Sequence, residues 1–129
     1  MPQPPHAMTC RGTLALVLAG VVTILTAGPS ALARDAGCRI EQAGRVVLDR
    51  TCDFQPEGRD GSFTLSARGG ADAPLFRGVS VVSVMIIEPG LAEVRGLTTA
   101  GVNARWGTAR RSDRDRACWE GDDFRICAR

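Results

Sequence analysis

Side chains able to carry out chemistry are few in this 129-residue chain. The one histidine is His6, tyrosine is absent, and all 16 basic residues are arginine. Without an imidazole or a lysine in the body of the chain, Ser–His, Cys–His and Schiff-base catalysis are excluded, and zinc lacks its usual nitrogen ligand. We therefore expect no catalytic residue, no metal site and no cofactor.

Paired carboxylates are the one enzymatic route that remains. Glu120, Asp122 and Asp123 cluster on one tight turn, and Asp113 and Asp115 cluster on another. A general acid needs a carboxyl group in an apolar pocket, whereas a hairpin tip is solvated. We interpret these residues as turn-forming and solubilising. The alternative is a carboxylate-dependent hydrolase acting on an envelope polymer, which requires two carboxyl groups within about 10 Å in one pocket.

A segment rich in arginine, residues 105–116, is the one candidate binding surface. Guanidinium forks suit phosphate and carboxylate, and an aromatic among them can stack on a ring. We predict an anion- or partner-binding surface on one exposed face, made of Arg105, Trp106, Arg110 and Arg111. The competing interpretation is a solvated loop with Trp106 in the core, as charge runs usually are. The expected partner is a protein or an anionic envelope component.

The first 33 residues have the pattern of an export signal. An uncharged apolar run from Leu14 to Leu25 is too short to span a membrane and suits a signal peptide. Small residues at Ala31 and Ala33 predict cleavage before Arg34, with Met8 as an alternative start. We expect a signal peptide over 1–33, one domain over 34–129, no stable membrane span after cleavage, and a periplasmic or secreted location.

Removing that leader changes the charge and the cysteine count. All 14 acidic residues and every arginine except Arg11 remain, so the domain is nearly neutral and nucleic acid is not an expected partner. Of five cysteines, Cys10 is lost and an even set of four remains, which in an exported domain predicts two disulfides.

Patterns typical of β-strands run along most of the chain after the leader. Residues 38–42 and 45–49 predict a hairpin turning at Ala43–Gly44, and 62–67 alternates with Phe63 and Leu65 on one face. We expect a loop over 53–61, punctuated by Pro56, and another over 68–74. Residues 79–87 are apolar and β-branched, which predicts a strand buried on both faces. Further strands are expected over 92–97 and 102–109, the second with Trp106 on its inner face.

The segment from Ala117 to Cys127 predicts a hairpin because it is symmetric about the Asp122–Asp123 bond. Folding there sets Cys118 opposite Cys127, Trp119 opposite Ile126, and Glu120 opposite Arg125. One register thus provides a disulfide, an apolar pair and an ion pair. Four cysteines allow three connectivities. The favoured one combines Cys118–Cys127 with Cys38–Cys52.

Two short stretches carry a resemblance. Ala117–Trp119 followed by Arg125–Arg129 resembles the C-terminal signature of a group of small exported bacterial proteins of unassigned function, and Asp60–Phe63 matches a strand that follows their first cystine region. The resemblance spans Cys38 to Arg129. It implies a shared small β fold and brings no known activity.

The sequence thus predicts an all-β domain, a small antiparallel sandwich or partly closed barrel of about six to eight strands with two disulfides. The expected function is that of an exported, disulfide-stapled binding module, inhibitor-like or envelope-associated, and not an enzyme. A structural envelope protein is the remaining alternative beside the hydrolase.

Overall fold

Alternation of apolar and polar residues with a period of two organises the described chain into eight strands. The computed structural model describes residues 2, 3, 5 and 32–129, so most of the predicted leader, with Met8 and Ala31, lies outside the described residues. The strands are β1 (Arg34–Gln42), β2 (Arg45–Glu57), β3 (Ser62–Ser66), β4 (Val79–Glu88), β5 (Leu91–Thr98), β6 (Asn103–Arg111), β7 (Cys118–Glu120) and β8 (Phe124–Ala128).

The sheet closes on itself. Each strand pairs antiparallel with the next, and β8 pairs antiparallel with β1, with Ile40 opposite Ile126. The result is a closed eight-stranded barrel, so of the two architectures predicted from the sequence the barrel is correct and its closure is complete. Because the sheet is closed, it has no end strand with one edge left unpaired along its whole length.

The barrel interior is filled by side chains. Small barrels of eight strands have room inside only for their own inward-facing residues. Fully buried aliphatic residues from six strands meet there with Trp119, which is 2% exposed. The principal members are Ile40, Leu65, Val82, Val84, Val94 and Ile126. Any ligand must therefore bind outside this core.

Both predicted disulfides are confirmed. Cys38 is bonded to Cys52 between β1 and β2, and Cys118 to Cys127 between β7 and β8. The predicted register of the last hairpin is also confirmed, because Trp119 pairs with Ile126 and Glu120 with Arg125. Cys118 and Cys127 are directly opposed in the ladder, with their Cα atoms 4.0 Å apart.

The loop predicted over 53–61 is wrong. β2 continues to Glu57, and only residues 58–61 form the turn to β3. Pro56 lies inside this strand, opposite Phe63. β1 begins at Arg34 opposite Phe54, so Pro56 has no neighbour on the β1 side and its missing N–H costs no ladder hydrogen bond there.

The prediction that β4 is buried on both faces is also wrong. Val82 and Val84 are fully buried, whereas Met85 and Ile87 are exposed. A barrel wall has a single layer, so its outer face meets solvent even where the sequence is apolar on both faces. No helix occurs among residues 32–129, and thus none long and apolar enough to cross a bilayer.

Candidate functional site

The four residues of the predicted binding surface all lie on β6, and the structure distributes them over three places. β6 pairs with β5 in a register that shifts between Val94 and Arg95, because Trp106 is an extra residue in the strand. Such a β-bulge turns the side chains on either side of it. Gly107 follows with φ of 130°, a conformation that favours glycine.

Arg105 lies on the outer wall, where its charge is already matched. Its Nε donates to Glu93 Oε2 at 3.2 Å, and Arg95 Nε donates to Glu93 Oε1 at 2.8 Å. The hydrogen bonds from Arg105 and Arg95 hold the pKa of Glu93 below its ordinary value of 4.5. Glu93 therefore stays ionised and Arg105 belongs to an ion-pair network.

Trp106 packs into the barrel at the end where β8 begins. A Cβ atom on Gly96 would approach the indole Nε1 to 2.7 Å, so only glycine at this position leaves room for the ring. The ring centroid lies 5.7 Å from that of Phe124 and 6.2 Å from that of Phe76. Trp106 is thus part of the core packing.

Arg110 and Arg111 are neighbours in sequence but point to opposite sides of the wall. In the β6–β7 ladder Arg110 lies opposite Glu120, and both residues are exposed. Arg111 lies opposite Trp119, whose side chain is in the core. The Arg111 guanidinium lies over the Trp119 ring, 4.7 Å from its centroid. The four predicted residues therefore do not form one surface: Arg105 and Arg110 lie on the outer face, Trp106 packs inward, and Arg111 lines a cavity.

That cavity is an open cup of about 180 Å³ at the end of the barrel where β1 begins and β6 ends. We call it the arginine cup. Three arginines and three aromatic residues form most of its lining, with small residues between them. The residues are Arg34, Arg111 and Arg116; Phe54, Phe63 and Trp119; and Gly61, Ala117 and Ala128.

Stacking positions the guanidinium groups of the arginine cup. Arg34 lies over the Phe54 ring at 4.6 Å from its centroid, and Phe54 stacks on Phe63 with centroids 4.8 Å apart. Arg111 stacks on Trp119 in the same way, and its Nη1 donates to the carbonyl oxygen of Arg116 at 3.1 Å. A guanidinium on an aromatic face keeps its N–H donors free in its own plane.

No acidic residue lines the arginine cup. The carboxylates of the adjoining loops have other partners: Asp60 accepts from the Ser62 amide at 2.9 Å, and Asp115 pairs with Arg129. The hydrogen bonds from Ser62 hold the pKa of Asp60 below its ordinary value of 3.8. Asp60 therefore stays ionised, and neither acid lines the cavity.

The arginines of the cup have no carboxylate partner, whereas half of the other twelve arginines within residues 32–129 do. Six arginines there form ion pairs with carboxylates: Arg39, Arg68, Arg95, Arg105, Arg125 and Arg129. Within residues 32–129, by contrast, no carboxylate lies at ion-pair distance from Arg34, Arg111 or Arg116. The cup therefore carries uncompensated positive charge.

A second cavity, of about 270 Å³, gathers the acids of the last hairpin. Glu41, Glu120, Asp122 and Asp123 line it together with Phe124 and Arg125. Glu41 accepts from Arg39 Nε at 3.0 Å, and Glu120 Oε1 lies 3.3 Å from Arg125 Nε. Neither glutamate has the apolar surroundings that a general acid needs. No group of three potential metal ligands occurs among the described residues.

Most of the arginine cup escaped the sequence analysis. Phe63 and Trp119 carried only a core signal, and Arg34 was identified only as the first residue after the leader. Strict alternation along residues 103–111 could have separated Arg110 from Arg111. The meeting of Arg34 with Arg111 depends on closure of the barrel between β8 and β1, which no local pattern reveals.

Comparison with known proteins gives no relative for this arrangement. No protein-family model, curated protein or solved structure matches the chain.

Proposed function

We propose that the protein is an exported binding module that recognises an anionic envelope component, or an acidic group on a partner protein, at the arginine cup. The observation that carries the proposal is the cup's composition: Arg34, Arg111 and Arg116 line it without any acidic residue. An arginine without a carboxylate partner is ready to bind an anion from outside. The filled barrel acts as the rigid support and takes no part in chemistry.

Pre-organisation makes this cup suited to binding. Free arginine side chains lose rotamer freedom when they bind, which costs affinity. Stacking on Phe54 and Trp119 restricts Arg34 and Arg111 before a ligand arrives. A hydrogen bond to a charged group contributes about 1.5–3 kcal/mol, so each guanidinium that engages an anion matters.

The two disulfides support a location outside the cytoplasm, since disulfides persist in oxidising compartments. We assign the protein to the periplasm or the secreted fraction, where it would act as an inhibitor-like or envelope-associated factor. Its binding would depend on complementarity to the anion, and we assign it no catalytic activity.

Capture from envelope extract tests the proposal with a matched pair of variants. Arg111→Ala removes a cup arginine, whereas Arg110→Ala removes its neighbour on the outer face. We expect the oxidised, processed protein to retain anionic envelope material that elutes with salt. Arg111→Ala should lose most of this capture and Arg110→Ala should keep it. Equal capture by the two variants would contradict the proposal.

The hydrolase is the second candidate, because four carboxylates line one cavity. Two of them, Glu41 and Glu120, are held by arginines, which is unfavourable for acid–base work. The test is release of soluble fragments from purified envelope polysaccharide, with Glu120→Gln as the variant. Release that stops in Glu120→Gln would establish the hydrolase, and no release at any pH would exclude it.

A further inference from the structure

We infer that the ligand group of the arginine cup is a dianionic phosphomonoester; this inference rests on the proposed function and specifies its ligand. The aromatic rings of the cup are already in contact with protein groups. Arg34 lies over the Phe54 ring at 4.6 Å from its centroid, and Phe63 stacks on the same ring at 4.8 Å. Phe63 is 4% exposed, and Trp119, with Arg111 over its ring, is 2% exposed. These rings are therefore stacked or buried.

The ligand must therefore be recognised through the guanidinium edges. A planar fork of N–H donors matches two oxygens of a carboxylate or a phosphate equally well in shape. What distinguishes the two anions here is their charge.

Charge favours the phosphomonoester. Three guanidiniums line the cup and no acid compensates them. A carboxylate or a phosphodiester supplies one negative charge and leaves two cations facing each other across a small cavity. A phosphomonoester supplies about −1.5 to −2 at pH 7 and offers three acceptor oxygens, enough to serve all three arginines.

The size of the cup limits the ligand to a head group. At about 30 Å³ for each water molecule, the cup of about 180 Å³ has the volume of roughly six waters. Pockets that enclose a whole small molecule begin at about 300 Å³. The rest of the ligand must lie outside, so the phosphate can be presented by a soluble sugar phosphate or by a lipid head group.

A titration with three small anions tests the inference. The probes are methyl phosphate, dimethyl phosphate and acetate, binding to the oxidised, processed protein. The second pKa of a phosphomonoester is about 6, so raising the pH from about 5 to about 7 should increase the affinity for methyl phosphate about tenfold. Dimethyl phosphate keeps one charge over this range, and acetate is already mostly ionised at its lower end. We expect both to bind more weakly and without a tenfold rise.

The residues that line the cup include no acid and no histidine whose protonation could mimic this rise. Arginine stays protonated, Asp60 is held ionised by the Ser62 amide, and Asp115 is paired with Arg129. The α-amino group that leader cleavage would create on Arg34 titrates near 7.7–8.0, above the window. A rise between the two pH values therefore reports the proton on the ligand.

Variants connect the binding to the cup. Arg116→Ala should weaken methyl phosphate binding at least tenfold without risk to the fold, since Arg116 is exposed. Arg111→Ala should do the same, and circular dichroism checks that it folds. Arg110→Ala should change the affinity by less than twofold. Phosphatidylcholine vesicles containing phosphatidic acid, compared with glucose 6-phosphate, then distinguish a lipid source from a soluble one.

The outcomes separate the two proposals. If acetate binds as tightly as methyl phosphate and neither depends on pH, the phosphomonoester is overturned while an anion-binding module stands. If none of the three anions binds, but capture from envelope extract still requires Arg111, the phosphomonoester is likewise overturned and the proposed function survives. If the extract experiment also fails, both proposals fall.

Discussion

A single step along β6 decides which arginine lines the cup. Arg110 and Arg111 have the same chemistry and adjacent positions, but alternation in a strand sends one to the outer face and the other over Trp119. A stacked guanidinium loses little further freedom on binding, whereas an exposed one is mobile and screened by salt. At this scale, function depends on what each side chain packs against.

The close packing of Trp106 against Gly96 can be tested by a single substitution. In Gly96→Ala the new Cβ would lie 2.7–2.9 Å from three atoms of the Trp106 indole, so the ring must move and disturb its contacts with Phe76 and Phe124. We expect the free energy of unfolding to fall by about 1–3 kcal/mol, measured by urea denaturation.

Gly37→Ala is the matched control for that measurement. Gly37 also lies in a strand, and the nearest atom to its added Cβ would be the Arg129 carbonyl oxygen at 3.9 Å, an ordinary contact. We expect the control to be neutral or slightly stabilising, because alanine restricts the unfolded chain. Equal losses in the two variants would show that packing of Trp106 on Gly96 is not the cause.

At the scale of elements, the seam between β6 and β7 is the narrowest in the barrel wall. β7 has three residues, and it pairs with β6 at only two positions, one of which joins Arg111 to Trp119. Its attachment to β8 includes the Cys118–Cys127 disulfide. The hairpin of β7 and β8 therefore holds one wall of the arginine cup in place.

Removing that disulfide should loosen the seam. Cys118→Ala with Cys127→Ala is expected to lower the free energy of unfolding by about 2–4 kcal/mol, mainly by freeing the unfolded chain. Hydrogen exchange should accelerate first at the β7 amides, while β4 and β5 remain protected. In the control, Cys38→Ala with Cys52→Ala, the faster exchange should appear in β1 and β2. Identical exchange patterns would contradict a local weakness at the seam.

Local patterns predicted most elements but not how they meet. The hairpin of β7 and β8 was predictable to the residue because three cross-strand pairs agreed on one register. Pro56 was misread as a loop residue because a strand accepts proline only where it lacks a neighbour on one side, which the local sequence does not show. β4 was misread as buried on both faces because the exposure of its outer face depends on the closure of the sheet into a barrel. The arginine cup was not predictable, since it joins β1, β6 and β7 across a closure that is fixed only in three dimensions.

At the scale of the whole molecule, the charge is nearly balanced but unevenly placed. The chain carries 16 basic and 14 acidic residues, so long-range attraction between the domain and an anionic surface is small. Six of the 14 acids, all within residues 32–129, form ion pairs with arginines outside the cup, and no acid lines the cup, so its three arginines form an uncompensated positive cluster at one end of the barrel. Binding by this molecule should therefore be a short-range event at the cup.

The predicted cleavage site lies at the start of β1, beside the cup. β1 begins at Arg34, directly after the predicted cleavage position, and Leu32 is 82% exposed. We expect N-terminal sequencing of the exported protein to begin at Arg34. Signal peptidase accepts only small residues at the positions of Ala31 and Ala33 and is indifferent to the residue between them. Ala33→Phe should therefore accumulate precursor, whereas Leu32→Phe should be processed normally.

Cleavage at this position would place a new α-amino group on Arg34, whose side chain lines the arginine cup, and should therefore affect the proposed binding. That group would add positive charge at the rim below about pH 8. A protein that begins with extra residues before Arg34 should bind methyl phosphate more weakly than the processed one at pH 7. A mature N-terminus elsewhere, or processing of Ala33→Phe at the normal rate, would refute the assigned cleavage site.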